Sequence, residues 1–257
     1  MPMLDNPRGG FRFLRGIAPY SSGAVAMPGY EVVHATLSSP PPYGQGFQAI
    51  DRHLKDQRGP PQALCGIELR SPKPFTFQGF IDFNQGYIAE LKQRRILAGD
   101  LNPVARTNVA PEAGVAPEAG PPREVSLYGF SYTAPARVRQ PTFVVAGAGE
   151  LTGERLDARD IVRRGDVSPD GLRAKAVQVL DLMDQRLQGL GVSWKDVTVV
   201  EVYTIHDIFP LVRKLLLPRA GAAAVHGLRW HFSRPPIEEI EFEMDVRGSA
   251  RELVLSS

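Results

Sequence analysis

PTFVVAGAGEL (141–151), SPDGLRAKAVQVLDLMDQRLQGLG (168–191), VTVVEVYTIHD (197–207), FPLVRKLLL (209–217), HGLRWHFSRPP (226–236) and IEEIEFEMDVRG (237–248) follow one another in the last half of the chain. Their order reads as strand, long helix, strand, short helix and two closing strands. In the helix, Ser168 is placed to cap, Pro169 suits the first helical position and Asp170 favours the positive end of the dipole. Leu172, Ala176, Val179, Leu180, Met183, Leu187 and Leu190 recur at helical spacing and form its apolar stripe. Near the end, Ile240, Phe242 and Met244 alternate with Glu239, Glu241, Glu243 and Asp245, so one strand face is apolar and the other acidic. Four acids on one face repel, and that face calls for arginines, a partner subunit or solvent opposite it. Arg229 and His231, on one side of the preceding strand with Leu228, Trp230 and Phe232 on the other, are the expected cations.

The first half repeats the order of elements. Tyr30–Leu37 is rich in β-branched residues and reads as a strand. Gly46–Gln57 carries Phe47, Ile50 and Leu54 at helical spacing, ALCGIELRS (63–71) is a strand, and Phe77–Leu97 is a second, longer helix. ARTNV (105–109) and EVSLYGFSYT (124–133) close it as strands around a loop in which VAPEAG occurs twice in succession, at 109–114 and 115–120. Both halves therefore read as β-α-β-α-β-β, the unit of chorismate-mutase-like folds: a four-stranded sheet with two helices on one face. The expected class is α+β, two such units in tandem, residues 1–137 and 138–257.

Composition sets the outer limits. The 257 residues are enough for one large or two modest domains, with 43% hydrophobic and 23% charged residues. Thirty Lys+Arg against 28 Asp+Glu give a net charge of +2, no basis for a nucleic-acid or membrane partner. Cys65 is the only cysteine, so no intrachain disulfide forms; a cytoplasmic location is expected, with no signal peptide and no apolar run long enough to span a bilayer.

AGAGE at the end of the first quoted strand, the helix ending in LGVSWKDV, VEVYTIHDIFPLVRKLL, and a proline followed by an EIEFE strand together resemble the RidA (YjgF) family over residues 142–247. That resemblance implies a homotrimer, a pseudo-hexameric barrel of the tandem units, with small-molecule sites in clefts between subunits. It implies cofactor-independent hydrolysis of small carboxylated enamines, imines or aminomuconate-type intermediates. The alternatives are a chorismatase-like hydrolase of cyclic carboxylates, or a catalytically silent small-molecule-binding relative. By position, the family's glutamate, which orients or deprotonates the attacking water, falls on Glu241. Its carboxylate-binding arginine falls on His226, a candidate acid or base, and its asparagine on Arg213. With a histidine in place of the guanidinium fork, two readings stay open: Arg229 or Arg234 takes over the carboxylate, or the working site lies in another cleft built from both halves.

Other candidates come from local pattern. Glu150 follows a glycine turn whose amides could cradle an anion. Tyr203 is a candidate substrate contact, with His206 expected on the opposite strand face. Arg106, with Tyr128 or Tyr132, is the first-half counterpart of the second-half arginines. Cys65 reads as a buried, inert thiol. No metal or cofactor is expected: the five histidines lack ligand spacing, AGAGE lacks the third glycine of a dinucleotide fingerprint, and there is no P-loop or nucleophile elbow. The expected partner is a small carboxylate.

Overall fold

The computed structural model describes residues 2–16, 20–114, 120–153 and 156–256; most of the second VAPEAG copy lies outside them. The first half contributes strands β1 (Met3–Asn6), β2 (Phe11–Leu14), β3 (Gly23–Ala26), β4 (Tyr30–Leu37), β5 (Leu64–Arg70), β6 (Ala105–Pro111) and β7 (Ser126–Pro135), with helices α1 (Tyr43–Asp56) and α2 (Phe77–Gln93). The second contributes β8 (Phe143–Gly149), α3 (Pro169–Leu190), β9 (Val199–Tyr203), a helical stretch over 209–226 with a π turn at Val212–Leu216, then β10 (Arg229–His231), β11 (Ser233–Arg234), β12 (Glu243–Gly248) and β13 (Arg251–Leu255).

These form the mixed α+β architecture with two sheets. One runs β1-β2-β3-β8-β12-β9-β10, the other β11-β6-β5-β7-β4-β13. Within them, β6-β5-β7-β4 and β10-β9-β12-β8 share one order, and in each the second and third strands in sequence are parallel while the other pairs are antiparallel. The terminal strands exchange partners. β3 pairs with β8, so the first 26 residues extend the sheet of the second half, whereas β11 pairs with β6 and β13 with β4.

Each sheet turns one face to helices and the other to its counterpart. α3 buries Ala176, Val179, Leu180, Met183, Leu187 and Leu190 against Phe143, Val145, Val200, Val202 and Met244. Each large side chain so buried contributes about 1.5–3 kcal/mol. The Ser168 hydroxyl caps α3 by accepting the Gly171 N–H at 3.1 Å, and Gly191, at φ +74°, ends it in the left-handed conformation that glycine adopts without strain. On the other sheet, Phe47, Ile50 and Leu54 of α1 and Tyr87 and Leu91 of α2 pack on Val33, Ile67, Leu69 and Phe130. None of the helices among the described residues is long and apolar enough to cross a membrane.

Two readings of the C-terminal strands need correction. The acidic alternation was read as one strand from Glu239, but residues 237–242 form a turn in which Glu239 takes φ +71°, and β12 begins only at Glu243. The preceding strand does not pair with β12: β10 lies parallel to β9, and β11 crosses to the other sheet. Likewise β9 ends at Tyr203, so His206 lies beyond the strand rather than on its opposite face.

Candidate active site

Between the sheets lies a layer of charge. Glu68 on β5, Glu201 on β9 and Asp245 on β12 are all buried and bring carboxylate oxygens within 4.8 Å of one another. A guanidinium already stands among them: Arg247 Nη1 is 3.4 Å from Glu68 Oε1 and 3.2 Å from Glu201 Oε2. Arg247 thus occupies the place beside Glu68 and Glu201 that a cation would take, which does not suit a divalent ion there. Burial alone would raise the Glu201 carboxyl, but Arg247 and His231 hold it well below the usual range. Among the described residues the Asp245 carboxylate accepts from hydroxyls, Thr107 at 2.6 Å and Tyr203 at 3.0 Å, and burial with the neighbouring Glu201 pushes its carboxyl well up.

At the edge of this layer opens a cleft of about 770 Å³, walled by both halves of one chain. β6 contributes Arg106 and Asn108, α3 contributes Arg186, and β12 contributes Glu243. Tyr20 and the glycines of β8 complete its polar side, while Phe80, Ile237 and Ile240 form an apolar wall. Arg106 is 3% exposed; its Nη2 donates to Asn84 Oδ1 at 2.6 Å and its guanidinium lies 4.5 Å from the Tyr87 ring centroid. Its Nη1 has no acceptor among the described residues. Arg186 Nη1 donates to the carbonyls of Ala146 (2.7 Å) and Gly147 (3.2 Å), leaving Nε without an acceptor. Asn108 accepts from the Ser71 hydroxyl at 2.9 Å, and its Nδ2 is also unpartnered. Three residues lining one cleft thus each carry a buried donor with no acceptor among the described residues, an arrangement suited to an anion, because an unpaired buried donor costs about 1–3 kcal/mol that a ligand oxygen can recover.

Glu243 is the one acid among the described residues that line this cleft. It is 4% exposed and makes none of the ion pairs that tie Glu201, Glu68 and Glu150. Burial first, and Asp245 two residues along the strand second, push its carboxyl well up against the opposing pull of Arg186 and Arg106. A carboxyl raised in this way beside two guanidinium groups is suited to donate a proton to a bound anion.

The residues singled out by sequence disperse. Arg106 lies in the cleft. Glu150 is fully buried at its rim but turned away: its carboxylate accepts the N–H groups of Glu241 (2.8 Å) and Phe242 (3.0 Å) and the Lys175 ammonium (3.0 Å), fixing the turn before Glu243. Glu241 points to His206, Oε2 to Nε2 2.7 Å, outside the cleft. Tyr203 is buried between Glu201 and Asp245. Arg229 pairs with Glu201 at 3.2 Å rather than with the acids of β12, and Arg234 pairs with Glu112 at 2.5 Å. His226 and Arg213 are exposed on the 209–226 stretch. Cys65 is buried, and burial raises its thiol. Sequence reading missed Arg186, Asn108 and Glu243 as site residues. An arginine on an amphipathic helix looks like a solvated one, and Glu243 could be told from Glu241 only by knowing where the strand starts.

A mixed α+β chain with a proton-donating acid and unpaired cationic donors in one cleft has the makings of an acid–base hydrolase of small anions. The chain belongs to the family described as 2-aminomuconate deaminase CnbZ, whose model matches residues 3–253. It is 40% identical over 250 residues, 96% of either chain, to the 2-amino-5-chloromuconate deaminase of Comamonas testosteroni. This membership overturns the RidA resemblance read over 142–247: the matching family spans nearly the whole chain and is a different one. Among solved structures the chain is similar to a chorismatase (TM-score 0.49, 15% identity, 89% of this chain and 77% of the other). It is also similar to a cyanuric acid hydrolase (0.42, 9%, 88% and 69%), likenesses too remote to bear on chemistry.

Proposed function

We propose that the chain is a hydrolytic deaminase of 2-aminomuconate-type dicarboxylates and that the Arg106–Arg186–Glu243 cleft is its active site. The observation that carries this is that Arg106, Asn108 and Arg186, each with a donor (Nη1, Nδ2 and Nε) lacking an acceptor among the described residues, line one cleft with the buried Glu243. Such a substrate is an enamine with a carboxylate at each end, so two guanidinium groups match its two charges, with the Asn108 amide as a further donor. Glu243 gives its proton to the substrate, converting enamine to iminium. As a carboxylate it then takes a proton from the water that adds to the carbon bearing nitrogen; it passes that proton to the carbinolamine nitrogen, and ammonia leaves as the hydroxyl becomes the carbonyl and returns its proton to Glu243. General acid–base assistance of this kind contributes about 10²–10⁴-fold. Phe80, Ile237 and Ile240 exclude bulk water from the carbon chain.

Ammonia release from freshly generated 2-aminomuconate, measured against its spontaneous decay, tests the reading. Acceleration that falls at least about 100-fold in Glu243→Gln is expected. Release no faster than the spontaneous rate, or unaffected by Glu243→Gln and Arg106→Gln, overturns it.

A further inference from the structure

Enamine hydrolysis has a requirement that the cleft meets in a revealing way. Before water can add to the carbon bearing nitrogen, a carbon of the diene must accept a proton, so that the nitrogen lone pair moves into a C=N bond. Glu243 is the acid among the described residues of the cleft, and its Oε1 lies 2.1 Å from where a Cβ on Gly147 would sit, so the glycine makes room for it. No ion pair among the described residues holds Glu243 as an anion, unlike Glu201, Glu68 and Glu150 around it. Burial and the adjacent Asp245 favour its protonated form, in agreement with that geometry.

An enol stands in the same electronic relation to its diene as an enamine does. Replacing the amino group by hydroxyl leaves both carboxylates, the carbon skeleton and the proton-accepting carbon unchanged. On the deaminase reading, the carboxylates that Arg106, Arg186 and Asn108 would bind are the same in both molecules.

We propose that this enzyme has a second activity, the ketonisation of 2-hydroxy-2,4-dienedioates, the oxygen analogues of its substrate, by transfer of the Glu243 proton to carbon. The inference rests on the deaminase reading of the same cleft and deepens it. In the step, the Glu243 O–H bond breaks and a C–H bond forms at C3 or C5 as the diene electron pair moves. The C2–O bond becomes a carbonyl, and the hydroxyl proton returns to the Glu243 carboxylate directly or through water. The change is an isomerisation with no atom gained or lost and needs no oxidant or reductant. With nitrogen in place of oxygen, the same first step gives the iminium, and hydrolysis follows with one water consumed and one ammonia released.

The experiment mixes the enzyme with 2-hydroxymuconate in D₂O and follows loss of the dienol absorbance and the position of deuterium in the early product. The expected result is ketonisation at least 100-fold above buffer, deuterium on a single face of one carbon, and competitive inhibition of deamination by the same compound. Glu243→Gln should lower ketonisation and ammonia release by similar factors. If the enzyme releases ammonia from 2-aminomuconate yet ketonises the hydroxy compound only at the buffer rate, or gives racemic label, the inference falls and the deaminase reading stands. If neither reaction is accelerated, the deaminase reading itself falls. The label in wild-type product decides the matter even if the variant does not fold.

Discussion

Glu243 and Gly147 sit on adjacent antiparallel strands, β12 and β8, with the acid's Oε1 occupying the space that a side chain on the glycine would need. Gly147→Ala should therefore displace Glu243 without breaking the sheet, because the obstructing atom is the tip of a flexible side chain. Misplacing a reacting group by about 1 Å costs roughly 100-fold. We expect that loss in kcat/KM with a thermal midpoint lowered by only about 2–4 °C. Steady-state kinetics beside a melting curve check it, and wild-type turnover would show that the acid is not needed there.

Arg106→Lys and Arg186→Lys keep the charge but lose the guanidinium fork, and Lys at 106 also loses the bond to Asn84. Each should raise KM by about 10–100-fold, the worth of one charge-assisted hydrogen bond. Arg229→Ala and His226→Ala, outside the cleft, should leave kcat/KM within about twofold, as for exposed positions generally. A large effect of either would move the site toward β10.

Lys175 and Glu150 form an ion pair with both side chains 0% exposed, and Lys175 also donates to the Val162 carbonyl at 2.8 Å. Lys175→Met leaves the carboxylate buried without its cation and should cost about 3–5 kcal/mol in urea unfolding. Adding Glu150→Gln removes the stranded charge and should recover part of that loss. Additive losses would mean the two side chains do not act as a pair.

Burial alone would raise the Glu252 carboxyl, but Arg247, donating at 2.8 and 3.0 Å, holds it at about 2 in the folded chain. Its unfolded value is about 4.3. The folded value being the lower, the stabilisation is fully present above pH about 4.3 and is lost as pH falls toward 2. With a third of the side chain exposed, solvent mutes the effect. Thermal midpoints between pH 5 and 2.5 should drop less steeply for Glu252→Gln than for wild type; parallel curves would refute this.

The residues that spoke plainly in the sequence were those governed by local rules. Ser168, Pro169 and the Leu180–Leu187 stripe announced α3, whereas the alternation from Glu239 to Asp245 reaches β12 only in its last three residues. What stayed hidden depended on long-range contacts. Glu241 and Glu243 look equivalent in an alternating run, yet the Glu150 clamp holds 237–242 as a turn, sending one acid to His206 and the other to the cleft. Arg106 was legible only as a counterpart of other arginines, since its role depends on Arg186 approaching from a helix 80 positions away. The short strands β1–β3 and β13 carry too few residues for periodicity to register; only pairing defines them, β1–β3 with one another and through β3 with β8, and β13 with β4.

That last pairing has a bearing on how the molecule is assembled. β13 follows every strand of the sheet it borders, and β3 waits for β8, more than a hundred positions on. Neither sheet can be completed by its own half, so severing the chain near its midpoint should yield two sticky fragments rather than two autonomous modules. Co-expressed, they would have to find each other by lending edge strands, as partners that trade limbs.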